Sequence, residues 1–354
     1  MSPLVSIIIP VFNQNEDYLH DCIASAFNQT YRNIEIVISD NHSTKCVSTV
    51  TSKFTDPRVK NVRPNTFLDI NNSFAFAASC ASTDAKYLSF LSSDDVLAPY
   101  AIEELVKFAE NNPSVAFVAG NIIQSIEPPA SFVQIENRIR TGNNKVGIYS
   151  FVDAVTMFCP WKLASTWMAG DLIRLDAYKV TGGFEACDYY ISGDLWLTKE
   201  LLRQKNSDFA CIGSTTAFFR LRENGVLPAD GDRGLGIHLD MLRYCTDILQ
   251  MVKERNIGFK QRASIHLTHT KSLVKVVVFT LLARKYKKPT QVFYEQPFQQ
   301  YIENQSTFLE RRWINWALSI KGLPLSLFSA IAHFFVDARN RVVASVEIKD
   351  SANK

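Results

Sequence analysis

Cysteine is sparse and never closely paired along the chain. Cys22, Cys46, Cys80, Cys159, Cys187, Cys211 and Cys245 are odd in number, widely scattered and nowhere in a Cys-x-x-Cys spacing. That distribution argues against a disulfide framework and against a zinc site. Long apolar runs are missing as well, since a membrane-spanning helix needs roughly 20 predominantly apolar residues. Val276 to Ala283 and Leu323 to Val336 come nearest, but both are too short, and the second carries Ser326, Ser329 and His333. Met1 is followed by no basic segment, and the first apolar run is broken at Pro10 and Asn13. No signal peptide is therefore expected, and a cytoplasmic location is. Internal repeats and low-complexity tracts are also absent.

What the chain does have is material for a sizeable core. Of its 354 residues 47% are hydrophobic, and the length suggests about two domains. The net charge of +3 becomes informative only when the chain is divided. Up to and including Asp240 there are 20 basic and 27 acidic side chains, and after it 18 and 8, so net −7 precedes net +10. The basic end is a separate electrostatic object. It can meet nucleic acid, an anionic membrane surface or the acidic region beside it.

Leu4 to Val11 is a continuous β-branched run, the mark of a strand covered on both faces. A polar turn from Phe12 to Asp17 follows, and Leu19, Ile23, Ala26 and Phe27 mark a helical stripe. The second strand, Ile34 to Ile38, ends in Ser39-Asp40-Asn41-His42-Ser43-Thr44, which puts a carboxylate at a strand's carboxyl edge. Arg58 to Val62 reads as a strand and Asn72 to Ala81 as a helix. The apolar run Leu88-Ser89-Phe90-Leu91 stops at Ser92-Ser93-Asp94-Asp95, a helix follows from Ala101 to Phe108, and Ser114 to Ala119 is again strand-like. This alternation predicts an α/β fold with a doubly wound sheet. Right-handed crossovers then bring the Val11, Asp40 and Asp94 edges to one side, where ligands bind in open α/β sheets. Paired carboxylates at such an edge suit a hard divalent cation carrying a diphosphate. Capping the next helix or closing a turn is the plainer role for Asp94 and Asp95, and an Asx-turn the plainer role for Asp40.

Together, Val5 to Asn13, Gln29-Thr30-Tyr31, the Asp40 turn and Phe90 to Asp95 resemble the large inverting glycosyltransferase family 2, over about Pro3 to Arg222. The resemblance implies the GT-A fold, a Rossmann-like doubly wound mixed sheet. It also implies a nucleotide-sugar donor, UDP- or dTDP-linked, a divalent metal, Mg²⁺ or Mn²⁺, and transfer of one sugar to a hydroxyl acceptor with inversion. Bacterial surface polysaccharide assembly, such as O-antigen or capsule, on a lipid-linked acceptor is the setting it suggests.

Carried onto this sequence, Val11 and Phe12 line the nucleotide site and Asp40 accepts the N3 hydrogen of uracil or thymine, which cytosine lacks. Asp94 lies near the ribose and Asp95 ligates the metal. Ser92 stands at the first carboxylate of the family's Asp-x-Asp element, and Asn41 where a second aspartate is frequent. Thr181-Gly182-Gly183-Phe184-Glu185 and Ile191 to Leu197 resemble the acceptor-side segment, which makes Asp194 the candidate base, with Asp171, Asp176, Glu185 and Asp188 as competitors. Gly193 replaces a common acidic residue there, and capping the helix Leu195 to Leu202 is a second role open to Asp194. Arg222 stands where a histidine is usual and can contact diphosphate oxygens or simply be a surface arginine. Trp161 and Trp167 are core residues or sugar-stacking platforms.

A boundary is drawn after residue 235, and from Gly236 helical periodicity dominates: His238 to Val252, Ser264 to Leu282, Val292 to Tyr301, Phe308 to Ser319 and Pro324 to Val336. Arg284-Lys285-Tyr286-Lys287-Lys288 and Arg311-Arg312-Trp313 in this α-helical C-terminal appendage mix cations with aromatics, as interfacial membrane binders do, and solvated helix faces can do the same. No nucleic-acid recognition motif accompanies the charge. Two rivals remain to be weighed. A catalytically silent nucleotide-sugar-binding partner is kept open by Ser92, Gly193 and Arg222. A nucleotidyltransferase should open on a glycine-rich basic loop, which Val11-Phe12-Asn13-Gln14-Asn15 is not.

Overall fold

The computed structural model describes residues 2–45, 47–125, 128, 146–150, 169–189, 191–204, 208–220 and 231–255. The chain divides into compact units at 272/273, and the described residues all lie in the first. The order is β1 (Leu4–Val11), α1 (Glu16–Phe27), β2 (Ile34–Asp40), α2 (Ser48–Thr51), β3 (Val59–Val62), α3 (Ile70–Ser79), β4 (Ala85–Phe90), β5 (Val96–Leu97), α4 (Ala101–Asn111) and β6 (Val115–Ser125). Then come β7 (Gly147–Tyr149), β8 (Asp171–Arg174), α5 (Leu175–Thr181), a 3-10 turn (Phe184–Ala186), α6 (Gly193–Arg203), β9 (Asp208–Arg220) and α7 (Gly231–Glu254).

Among the described residues the strands form one sheet in the order β3-β2-β1-β4-β8-β6-β9-β5, with β7 on β9. β1, β2, β3 and β4 are mutually parallel, as the β-branched runs predict. The sheet is mixed because β8 runs antiparallel to both β4 and β6, while β9 returns parallel to β6. β1 shows why its sequence is apolar at nearly every position. Ile8 faces one core cluster with Val37, Leu88 and Phe90, while Val5, Ile7 and Ile9 face the other with Ile36 and Ile38. Each of these Ile side chains is fully buried, worth about 1.5–3 kcal/mol apiece relative to exposure. α1 and α4 cover the second face through Leu19, Ile23, Leu105 and Val106, and α3, α5, α6 and α7 cover the first.

α5 ends on Gly182 and Gly183 at φ +83° and +63°, a left-handed pair that a side chain would strain and that turns the chain into Phe184. The boundary drawn after residue 235 falls inside α7. That helix buries Met241, Tyr244, Cys245, Ile248, Met251 and Val252 in the same core cluster as Trp196 and Leu197 of α6. Its inner face is core of the first unit, and the four helices expected after it lie outside the described residues. Among the described residues Cys22, Cys80, Cys187, Cys211 and Cys245 are in no disulfide.

Candidate active site at the carboxyl edge of the sheet

Register fixes the first wall of the site. Val11 pairs with Asp40 across β1 and β2, so the turns after both strands leave the sheet side by side. The Val11 side chain is 1% exposed and belongs to the core, and its carbonyl accepts the Asn41 N–H at 2.8 Å. Its contribution is placement of the turn. Phe12, next in line, is 49% exposed, and its ring lies 5.1 Å from that of Phe67, itself 58% exposed. The two solvent-facing rings are tilted at 54° to each other at the end of β1. Sequence patterning gave no signal for Phe67, a single aromatic in a loop.

Asp40 is half-buried and does two things at once. Its Oδ1 accepts the Ser43 N–H at 2.9 Å, the expected Asx-turn, and its Oδ2 accepts Arg63 Nη1 at 2.9 Å. Arg63 Nη2 also sits 3.3 Å from His42 Nδ1, and His42 takes a left-handed φ of +59°. Asn41 explains itself in this setting. Its amide donates to Leu68 O at 2.8 Å and accepts Leu68 N–H at 2.9 Å, a reciprocal pair that an aspartate could not complete. Asn13 ties the first turn to the second by accepting Thr44 N–H at 2.8 Å.

The carboxylates after β4 separate by burial. Asp95 is 0% exposed, and its Oδ1 accepts the backbone N–H of Arg220 at 3.0 Å. Burial, reinforced by Asp94, pushes its carboxyl well above the usual range. Asp94 is half-buried, and Asp95, which the sequence assigns to the metal, keeps a buried Oδ2 without a hydrogen-bond partner. Arg220, which the sequence leaves without a role, holds the turn. Its Nε donates to Asp94 O at 3.0 Å, its Nη2 reaches Asp21 Oδ2 at 3.2 Å, and its guanidinium stacks 3.9 Å from the Tyr18 ring. Arg222, Trp161 and Trp167 lie outside the described residues.

Asp194 sits in the first turn of α6, half-buried at the surface. Desolvation pushes its carboxyl up to about 6, helped by the charge of Asp240 and opposed by the N–H groups of Leu195 and of Asp194 itself. Its carboxylate is a helix-terminal acceptor, and the raised carboxyl holds a proton closer to neutrality than an ordinary aspartate does. Its segment reaches the same edge as the other carboxylates. Asn71, at the start of α3, donates to Tyr189 O at 2.7 Å, and its Oδ1 would lie 2.5 Å from a Cβ added at Gly193. Phe184 would lie 2.8 Å from that same Cβ, which is why no acidic side chain stands at 193. Of the competitors, Asp171 is buried with neither carboxylate oxygen hydrogen-bonded, so burial raises it well above the usual range. Asp176 is held by Arg174 and Asp188 by Arg243. Glu185 is exposed.

A divalent ion carrying a diphosphate needs one or two protein carboxylates, with phosphate oxygens and water completing the shell. Asp94 at the open edge fits that demand. Among the described residues no group of three His, Cys, Asp or Glu side chains forms an all-protein cage.

Residues 6–160 match the sequence pattern of glycosyl transferase family 2. WfaP of Escherichia coli, a UDP-Glc:alpha-D-GlcNAc-diphosphoundecaprenol beta-1,3-glucosyltransferase, is 37% identical over 109 residues, which is 30% of this chain and 41% of WfaP. The chain spans less than half the length of the first curated relatives it matches. Among solved structures, S. aureus TarS 1-349 in complex with UDP-GlcNAc superposes with a TM-score of 0.52 at 11% identity, covering 89% of this chain and 79% of that one. The mannosyltransferase PcManGT from Pyrobaculum calidifontis, in complex with GDP-Man and Mn2+, gives 0.50 at 11% identity, covering 90% and 86%. Identities this low speak for the fold. The chain has the GT-A fold of these structures, and over residues 6–160 it is similar to glycosyl transferase family 2 and to members such as WfaP.

Proposed function

We propose that the protein transfers a single sugar, with inversion, from a UDP- or dTDP-linked donor to a hydroxyl of a lipid-linked acceptor in bacterial surface-polysaccharide assembly. The observation that carries this reading is Asp194, a half-buried carboxyl raised to about 6 on a segment fastened to the edge where Asp40 and Asp94 emerge. Inversion asks for one base on the face opposite the leaving group, and a group with this affinity for protons can take the acceptor's proton near neutral pH. The base of the donor stacks on Phe12 and Phe67 and gives its N3 hydrogen to Asp40. Arg63 is about half exposed, so yielding Asp40 Oδ2 to the nucleotide costs little. Asp94 would hold the divalent ion, and Asp95 with Arg220 positions Asp94. When bound, that ion neutralises charge on the departing diphosphate.

A peripheral contact of the basic C-terminal region with anionic membrane completes the proposal. No helix of the described residues is long and apolar enough to cross a membrane. The test is a thermal-shift panel of UDP, dTDP, CDP and GDP with and without Mn²⁺. Stabilisation by UDP or dTDP, strengthened by metal, is expected, and a ligand at about 100 times its Kd adds roughly 2.7 kcal/mol. Preference for CDP would overturn the role of Asp40.

A further inference from the structure

α7 presents Asp240, Arg243 and Asp247 at spacings of three and four, one helix face, toward the segment that carries Asp194. Asp240 is 4% exposed, and its Oδ2 accepts the N–H groups of Ile191 and Ser192, both at 2.8 Å. Ser192 is the N-cap of α6, yet its side chain makes no cap hydrogen bond, so Asp240 from another helix holds the chain as it enters α6. One turn on, Arg243 Nη1 donates to Asp188 O at 2.5 Å, and its guanidinium lies 5.0 Å from the Tyr189 ring. Asp247 Oδ2 accepts Tyr189 Oη at 3.2 Å and Lys199 Nζ at 2.8 Å. Lys199 is 4% exposed, and its ammonium lies 4.8 Å from the Tyr189 ring. Asp188, Tyr189, Ile191 and Ser192 are thus held by α7, and Tyr189 also by Asn71.

We propose that α7 is a clamp on this segment and that Asp240 is its positioning residue, setting both the place and the charge environment of Asp194. The proposal rests on the reading of Asp194 as the base. The two backbone N–H groups compensate Asp240, and its remaining field opposes ionisation of Asp194. Asn71 from α3 and Phe184 from the 3-10 turn also pack on this segment and carry no charge. Lys199, the nearest cation along α6, is engaged by Asp247 and Glu200. A negative charge at 240 holds the proton of Asp194 more firmly, so its removal releases that proton at lower pH.

The test needs no donor or acceptor. Full-length protein labelled with ¹³C at the aspartate carboxyls is titrated by NMR, the Asp194 signal being assigned by its loss in Asp194→Asn. Asp240→Asn retains an oxygen that can accept both N–H groups but removes the charge. In that variant the Asp194 midpoint should fall below its wild-type position near 6. Amide exchange at Ile191 and Ser192, at fixed pH, should stay slow in Asp240→Asn and quicken at least tenfold in Asp240→Ala. An unmoved Asp194 midpoint in Asp240→Asn overturns the electrostatic role, and unchanged exchange in Asp240→Ala, or equal loss of protection throughout the sheet, overturns the clamp. If Asp194 titrates as described while Asp194→Asn transfers sugar normally, the base reading alone fails.

Discussion

Asp95 and Arg220 close the rim of the sheet on each other: the Arg220 N–H donates to Asp95 Oδ1 at 3.0 Å, with Asp95 wholly buried. The two residues are far apart in sequence, and their contact lets β9 support the turn that presents Asp94. Asp94 and Asp95 should therefore fail differently. Asp95→Ala strands a buried N–H and should cost about 1–3 kcal/mol in urea unfolding. Asp94→Ala should leave unfolding nearly unchanged and abolish the metal dependence of donor binding by calorimetry. The reverse pattern would return the metal to Asp95.

Asp40→Ala should weaken UDP or dTDP binding about ten- to a hundredfold, the usual worth of a hydrogen bond to a charged group. Its stability cost should be small, because the partner Arg63 is 51% exposed and such pairs contribute roughly 0–1 kcal/mol. Calorimetry of the variant against wild type decides this, and equal affinity would remove Asp40 from the site.

The net +10 carried after Asp240 should draw the full chain onto vesicles containing phosphatidylglycerol and not onto phosphatidylcholine alone. Salt at about 0.5 M should release it, since screening shortens the reach of exposed charges. Equal sedimentation with both lipids at low salt would end the membrane proposal.

Much of this site is legible in the sequence because strand ends announce themselves. A β-branched run covered on both faces can stop only at an edge, so Val11, Asp40 and Asp94 fall where the alternation puts them. The burial of Asp95 is not legible, because two adjacent aspartates look alike until the partner that turns one inward is known. That partner, Arg220, arrives from β9, and the parallel pairing of β6 with β9 spans most of a hundred residues without a local signature. Asp240 is hidden for a related reason. A carboxylate on an amphipathic helix reads as a solvated position, and only tertiary packing against Ile191 and Ser192 makes it an internal cap. Gly193 looks like a lost acidic residue until Asn71 and Phe184 are seen to fill the space.

The raised carboxyl of Asp194 has a consequence for stability. In the folded protein it keeps its proton up to about 6, whereas unfolded it ionises near 3.8, so the folded form loses stability as pH rises through that window. Asp194→Asn cannot ionise. It should melt above wild type at pH 7.5 and approach it only below pH 3.8, the gap narrowing as pH falls from about 6 to 3.8.

The central claim rests on transfer itself, measured with UDP- and dTDP-sugars and Mn²⁺ on membrane extracts containing lipid-linked sugars, beside calorimetry of donor binding. Wild type should transfer at a rate that falls as pH drops below about 6, while Asp194→Asn should bind donor with unchanged affinity and transfer roughly 10²- to 10⁴-fold more slowly. Transfer by Asp194→Asn at the wild-type rate, or donor binding by wild type with no transfer to any such acceptor, would contradict the account.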